Sequence, residues 1–277
     1  MQNSEHVFAG YLLENRFNVQ YERRIGESDP DFRVWHEDGT PFAFWDVADR
    51  EFTAKDQVEI DRLVVRIEAG LPIEAEGGPT KGYDFVRAKI RRKFLQFKKA
   101  SPVPGMLVLA EWTGRAQVDP AMMAAALYGW PQITVPLKQL NPTPSLGRAD
   151  DGKMIEQKMA EDNRYISAIG ILQLRPINRY VHGLVQLGKD VLDRFDVSDH
   201  AFGLIDQEER RQRAKGIDLD LLSPVLDIYL VSEAHYPWPE EVRGNHDRVY
   251  AYDVGTSQYN LISDGLVAAA LPHMKTD

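Results

Sequence analysis

Two aspartates near the start of the chain have the chemistry and the spacing of a divalent-metal site. Asp31 opens a strand predicted over residues 31–36, and Asp46 lies inside a strand predicted over residues 42–48. An Asp-Gly pair at 38–39 supplies the tight turn that joins two strands into a hairpin. Because hairpin strands are neighbours, we expect the two carboxylates to lie close together, and carboxylate oxygens are ligands that Mg²⁺ prefers.

The elements that must position these acids mix helices with strands. Apolar residues at helical spacing predict helices, whereas alternating or continuous short apolar runs predict strands. In chain order we predict a helix (4–16), three strands (18–25, 31–36 and 42–48), two helices (55–69 and 83–99), a buried strand (105–112), a helix (119–129), a loop-rich stretch (140–153) and two strands (166–174 and 224–233). This mixture predicts an α/β fold with helices packed on a mixed central sheet.

The helix predicted over residues 83–99 concentrates positive charge in an acidic chain. The formal net charge of the whole chain is −9. Between Lys81 and Lys99, however, eight basic residues stand against one acid, Asp84. Such a run is typical of a solvated helix face and equally of a surface that contacts the phosphate backbone of nucleic acid.

The composition excludes several kinds of site and favours a cytoplasmic protein with no membrane partner. Since the 277 residues include no cysteine, disulfides, thiolate zinc sites and cysteine nucleophiles are excluded. No apolar run approaches the roughly 18 residues of a membrane span. The N-terminal sequence also lacks the basic flank and the apolar run of a signal peptide. A His-Asp pair at 246–247 has no second histidine at metal-ligand spacing, so we expect it to be structural.

A series of motifs in the first part of the chain resembles the PD-(D/E)XK nuclease superfamily. The motifs are E-x-x-F-A-x-x-L (5–12), Y-E (21–22), P-D-F (30–32), F-W-D-V (44–47) and the basic segment K-I-R-R-K-F-L-Q-F-K (89–98), which precedes an apolar strand. Their order and spacing together carry the resemblance. It covers the chain well to about residue 115 and loosely to about residue 175.

The resemblance implies a fold, a domain division and an activity. The fold would be restriction-endonuclease-like, with a nuclease-like core over residues 1–178 and a C-terminal α+β extension over residues 179–277. The activity would be hydrolysis of DNA phosphodiester bonds, with RNA as an alternative substrate. A nuclease of this kind could act in restriction, anti-phage defence or recombination in a bacterial or phage system, as a homodimer or with a partner protein.

The resemblance also assigns roles to individual residues. Asp31, Asp46 and Glu5 would bind Mg²⁺ or Mn²⁺, and Gln96 would face the same cleft from the second core helix. The metal would lower the pKa of a bound water and offset the charge of the scissile phosphate. Five basic side chains would hold the nucleic-acid backbone, namely Lys89, Arg92, Lys93, Lys98 and Lys99.

Ala48 stands where the superfamily has a lysine that assists the attacking water and neutralises charge in the transition state. Because the surrounding pattern still fits an active site, one interpretation is an engineered lysine-to-alanine change that traps an inactive enzyme. A second interpretation moves the role of the lysine to Arg50, Lys89 or Lys93. A third is a pseudonuclease, which keeps the fold and binds nucleic acid or protein without cleaving it.

Overall fold

The computed structural model describes most of the predicted core. The described ranges are residues 3–22, 24–49, 80–110, 118–134, 145–148, 163–175, 180–181 and 222–273, with single positions at 58, 62, 65, 69, 177, 183 and 185. Most of the helix predicted over residues 55–69 lies outside the described residues, as does Arg50.

Four α-helices have both ends among the described residues: α1 (Asn3–Glu14), α2 (Thr80–Lys99), α3 (Pro120–Tyr128) and α4 (Gly265–Ala270). The helices predicted over residues 4–16, 83–99 and 119–129 are therefore confirmed. Helix α3 shows why the sequence folds this way locally. The Asp119 carboxylate caps it by accepting a hydrogen bond from the Met122 amide, and Pro120 opens its first turn.

The described strands number ten and form two sheets. They are β1 (Val19–Tyr21), β2 (Phe32–Trp35), β3 (Pro41–Asp49), β4 (Gly105–Ala110), β5 (Pro131–Thr134), β6 (Ser145–Arg148), β7 (Ala168–Arg175), β8 (Ser223–Leu230), β9 (Arg248–Asp253) and β10 (Gln258–Asp264). Eight of them make one sheet in the order β1-β2-β3-β4-β7-β8-β9-β10, and β5 pairs with β6.

The large sheet is mixed, which confirms the predicted α/β class. Its centre is parallel, since β3 pairs with β4 and β4 with β7 in the same direction. Strand β2 is antiparallel to β3, and β8 is antiparallel to β7. Strands β8, β9 and β10 thus continue the sheet that contains the β2–β3 hairpin.

Two predictions differ from the structure in detail. The strand predicted over residues 18–25 ends at Tyr21, because Glu22 has a positive φ of 49° that turns the chain out of the strand. The stretch predicted as a loop over residues 140–153 contains β6, which pairs with β5. Its sequence, SLGR, has little strand propensity of its own, so only the pairing with β5 makes it a strand.

Strand β3 is covered by helices on both faces. Trp45 points toward α1, where its ring centroid lies 6.0 Å from that of Phe8. Phe44 points the opposite way, and its ring centroid lies 5.0 Å from that of Phe97 in α2. Since successive side chains alternate between faces, Asp46 lies on the α2 side with Phe44. No helix among the described residues is long and apolar enough to cross a membrane.

Candidate active site

Asp31 and Asp46 are brought together by the pairing of β2 with β3. Phe32 pairs with Trp45, so Asp31 comes opposite Asp46 one position further along the ladder. The Val47 amide donates to Asp31 Oδ2 at 2.7 Å, which fixes the first carboxylate against β3. Asp46 is fully buried, while Asp31 is partly exposed. The two acids therefore lie next to each other, Asp46 on the buried strand β3 and Asp31 against it.

Helix α2 directs two side chains at Asp46. Gln96 Nε2 donates to Asp46 Oδ1 at 2.7 Å and to the Asp29 carbonyl at 3.2 Å. Lys93 Nζ lies 2.8 Å from Asp46 Oδ2. The residues are three positions apart, so both extend from the same side of the helix. Both oxygens of Asp46 thus contact a side chain of α2, and one of those contacts is an ion pair.

Glu5 approaches the two aspartates from α1. It is largely buried, and the Tyr21 hydroxyl donates to its Oε2 at 3.0 Å. Its charge raises the pKa of both Asp31 and Asp46, although in each case other causes are larger. The three predicted metal-binding acids therefore interact electrostatically, even though α1 and α2 lie on opposite faces of the sheet.

The electrostatics of the site disfavour two ionised carboxylates. Burial, with a further contribution from the charge of Asp46, raises the pKa of Asp31 to about 7. The Val47 amide and the charge of Lys93 oppose this shift. Burial also raises the pKa of Asp46, opposed by Lys93 and by the Gln96 hydrogen bond. A bound cation would relieve this repulsion, so the acids present fit a divalent metal.

The arrangement differs from a site already shaped around an ion. Among the described residues, no three His, Asp or Glu side chains are placed to hold a metal together. Asp46 is occupied on both oxygens by α2, and Glu5 is bonded by Tyr21. Metal binding at Asp46 would therefore require the side chain of Lys93 or Gln96 to move.

Ala48 lies on the same face of β3 as Asp46, two residues further on. It is buried in the apolar cluster that includes Phe85 and Ile90 of α2. Lys89 Nζ donates to the carbonyl of Asp49 and lies 5.7 Å from the centre of the Phe85 ring. Two basic side chains of α2 on this face are thus already engaged, Lys89 with backbone and Lys93 with Asp46.

Four of the five predicted backbone-binding residues share one side of α2. At about 100° per residue, they fall within about 60° of Gln96, and they are Lys89, Arg92, Lys93 and Lys99. Lys98 projects from the other side, where its Nζ lies 6.0 Å from the centre of the Tyr165 ring. Arg92 and Lys99 are exposed. The structure therefore places a basic strip beside the acids and leaves Lys98 outside it.

Several residues that support the site have no distinguishing signal in the sequence. The Ser4 hydroxyl donates to Asp49 Oδ2 at 2.9 Å, which joins the start of α1 to the end of β3. Arg33 is fully buried, and its Nη2 donates to the Pro30 carbonyl at 2.9 Å, just before Asp31. Ser and Arg at such positions are ordinary surface residues by type, so only their burial identifies them.

Comparison with known proteins does not place the chain in a family. No family model matches the sequence, no curated protein is similar to it at a significant level, and no solved structure matches its fold at a significant level.

Proposed function

We propose that the chain is a divalent-metal-dependent nuclease of the PD-(D/E)XK type that hydrolyses DNA. One observation carries the proposal: Asp31, which directly precedes β2, lies against β3 next to Asp46, and Lys93 and Gln96 of α2 contact Asp46. The order of helix, hairpin, helix and parallel strand from α1 to β4 supports a restriction-endonuclease-like core. The raised pKa of Asp31 supports a functional role for the two acids.

The chain's own residues would divide the chemistry among them. Asp31, Asp46 and Glu5 would hold Mg²⁺ or Mn²⁺, which when bound supplies an acidified water and offsets phosphate charge. Gln96 keeps Asp46 oriented through its hydrogen bond at 2.7 Å. An ammonium group beside these acids would neutralise the charge that builds up on the phosphate as the P–O bond breaks.

We assign that ammonium group to Lys93. Its Nζ lies 2.8 Å from Asp46, whereas Lys89 is bonded to the backbone of Asp49. A cation already present next to the acids makes an engineered origin for Ala48 unnecessary. The basic strip of α2 would hold the DNA backbone, which contributes affinity without sequence selectivity.

The direct test compares the protein as it stands with Asp46→Asn and Ala48→Lys on plasmid and linear DNA, with Mg²⁺ or Mn²⁺. We expect the unmodified protein to cleave and Asp46→Asn to lose cleavage. We expect Ala48→Lys to gain nothing, because Lys93 already supplies the cation. Cleavage that appears only with Ala48→Lys would instead support an engineered lysine-to-alanine change.

A pseudonuclease is the second candidate, and the Lys93–Asp46 ion pair favours it specifically. That pair compensates the fully buried carboxylate without any metal. A pseudonuclease would bind DNA equally well with Mn²⁺ and with chelator, and neither the unmodified protein nor Ala48→Lys would cleave. Electrophoretic mobility shifts run beside the cleavage assay separate the two candidates.

A further inference from the structure

A buried carboxylate outside the site joins α1 to the C-terminal part of the chain. Asp247 accepts three hydrogen bonds: from the Tyr11 hydroxyl at 2.6 Å, the Gly244 amide at 2.6 Å and the Leu226 amide at 3.0 Å. Burial raises the pKa of Asp247 to about 6, and the three hydrogen bonds oppose this shift, so the carboxylate is largely ionised at neutral pH. The phenol of Tyr11 is thus bonded to a charged acceptor, the strong kind of hydrogen bond.

Neighbouring contacts show that this bond is part of a closely packed interface between α1 and the turn before β9. The Asn245 amide donates to Asn15 Oδ1 at 2.8 Å, just beyond the end of α1. A Cβ on Gly244 would lie 2.8 Å from the Tyr11 hydroxyl and 2.9 Å from Asp247 Oδ2, so a larger residue there would displace these side chains. The turn before β9 and the C-terminal half of α1 are therefore in close contact at several points.

The N-terminal half of the same helix carries Glu5. Tyr11 lies six residues after Glu5, or about 9 Å along the helix axis. Between them Phe8 stacks on Tyr11, with ring centroids 5.2 Å apart, and packs edge-on against Trp45. Because Glu5, Phe8 and Tyr11 belong to one helix, a displacement of Tyr11 would shift Phe8 and Glu5 with it.

Glu5 needs such an anchor because its surroundings repel it. Its charge interacts unfavourably with those of Asp31 and Asp46, and its side chain is largely buried. A helix of 12 residues has little stability of its own and takes its position from its contacts. The Ser4 hydroxyl holds the start of α1 to Asp49, and the Tyr11–Asp247 bond holds its other end.

We propose that Asp247 and Tyr11 are positioning residues for the metal site, because their hydrogen bond sets α1 at the depth that brings Glu5 to Asp31 and Asp46. This role rests on the proposed metal-binding function. It also gives the C-terminal strands a task in the site, since Asp247 lies directly before β9 and bonds to the backbone of β8.

The test uses two matched substitutions in the full chain. Tyr11→Phe removes the hydroxyl that binds Asp247. Tyr128→Phe, the control, removes a buried hydroxyl that binds Glu233 at 2.9 Å on the α2 side of the sheet. Hydrogen exchange of the α1 amides reports docking of the helix without metal, and calorimetric titration with Mn²⁺ reports the site. Asp247→Asn serves as a second variant of the same bond.

We expect Tyr11→Phe and Asp247→Asn to speed exchange in α1 and to weaken Mn²⁺ binding about tenfold, as loss of a supporting bond commonly does. Tyr128→Phe should change neither. Unchanged Mn²⁺ affinity in both Tyr11→Phe and Asp247→Asn, with binding intact in the unmodified protein, overturns the positioning role alone. No Mn²⁺ binding dependent on Asp31 and Asp46 in the unmodified protein overturns the proposed function itself, and the positioning role with it.

Discussion

The two aspartates of the candidate site differ in the contacts that they make within the protein. Asp46 has a side-chain contact on each oxygen, from Lys93 at 2.8 Å and from Gln96 at 2.7 Å. Asp31 is held by a backbone amide, and the charge of Lys93 acts on it only as a smaller influence. At the scale of single residues, Lys93 therefore competes with any metal for Asp46, and a proton competes with the metal for Asp31.

Replacing Lys93 should separate metal binding from catalysis. We expect Lys93→Met to raise Mn²⁺ affinity about tenfold, because Asp46 loses its competing cation, and to lower DNA cleavage about a hundredfold, because the phosphate loses its ammonium group. Calorimetric titration and cleavage rates measure the two effects. Lys98→Met is the control, since Lys98 extends from the other side of α2. Weaker Mn²⁺ binding in Lys93→Met would contradict competition.

Replacing Asp31 should stabilise the protein while destroying the metal site. The pKa of Asp31 is about 7 in the folded chain against an ordinary value of 3.8. Between these values the folded state holds more protons than the unfolded state, so the free energy of unfolding falls as pH rises through that window. Above about pH 7 the whole cost is present, and below about pH 4 it vanishes.

Asp31→Asn removes this cost and keeps an oxygen that can accept from the Val47 amide. We therefore expect its melting temperature to exceed that of the unmodified protein by several degrees at about pH 8, and by progressively less toward about pH 4. Mn²⁺ binding should be lost at every pH. A difference in melting temperature that grows as the pH is lowered would show the opposite sign and refute the assignment.

At the scale of elements, the sequence is sufficient for most of the core and for the pairing of the two acids. Apolar periodicity predicts α1, α2 and α3, and the Asp-Gly turn predicts the β2–β3 hairpin that sets Asp31 opposite Asp46. The sequence does not predict whether Lys89 or Lys93 contacts Asp46, because that contact depends on how α2 is rotated against the sheet. Strand β6 is not predicted from the sequence for a similar reason, since only its pairing with β5 makes it a strand.

Two glycine substitutions test how tightly these elements are packed. A Cβ on Gly105 would collide with the ring of Phe44, which packs on Phe97 of α2. Nothing lies within 4 Å of a Cβ on Gly10 in the interior of α1. We expect Gly105→Ala to destabilise the protein by about 1–3 kcal/mol and Gly10→Ala to stabilise it by up to about 1 kcal/mol. Urea denaturation measures both changes, and equal effects would contradict the packing described.

At the scale of the whole molecule, a buried ion pair ties the C-terminal strands to the rest of the sheet. Arg248 on β9 donates to both oxygens of Asp227 on β8, at 2.7 Å and 2.5 Å. Gln173 and Arg175 at the end of β7 also contact Asp227. Three adjacent strands therefore meet at one carboxylate. A division of the chain at residue 178 stays a prediction, and the unfolding behaviour of the protein can test it.

Breaking this ion pair should destabilise the entire sheet. We expect Asp227→Asn to lower the free energy of unfolding by about 3–5 kcal/mol, because the buried guanidinium of Arg248 loses its charged partner. Since β8 and β9 share a sheet with β3 and β4, calorimetry should show one transition before and after the change. Two separate transitions would instead support independent domains over residues 1–178 and 179–277.

The coverage of β3 by helices on both faces restricts insertions and deletions in the part of the gene that encodes this strand. Phe44 and Asp46 face α2 while Trp45 faces α1, so the role of each residue depends on whether its position is odd or even. A deletion or insertion of one codon within the strand would turn Asp46 into the apolar layer under α1 and Trp45 toward Lys93. Length variation within β3 should therefore be absent from any functional descendant of this sequence.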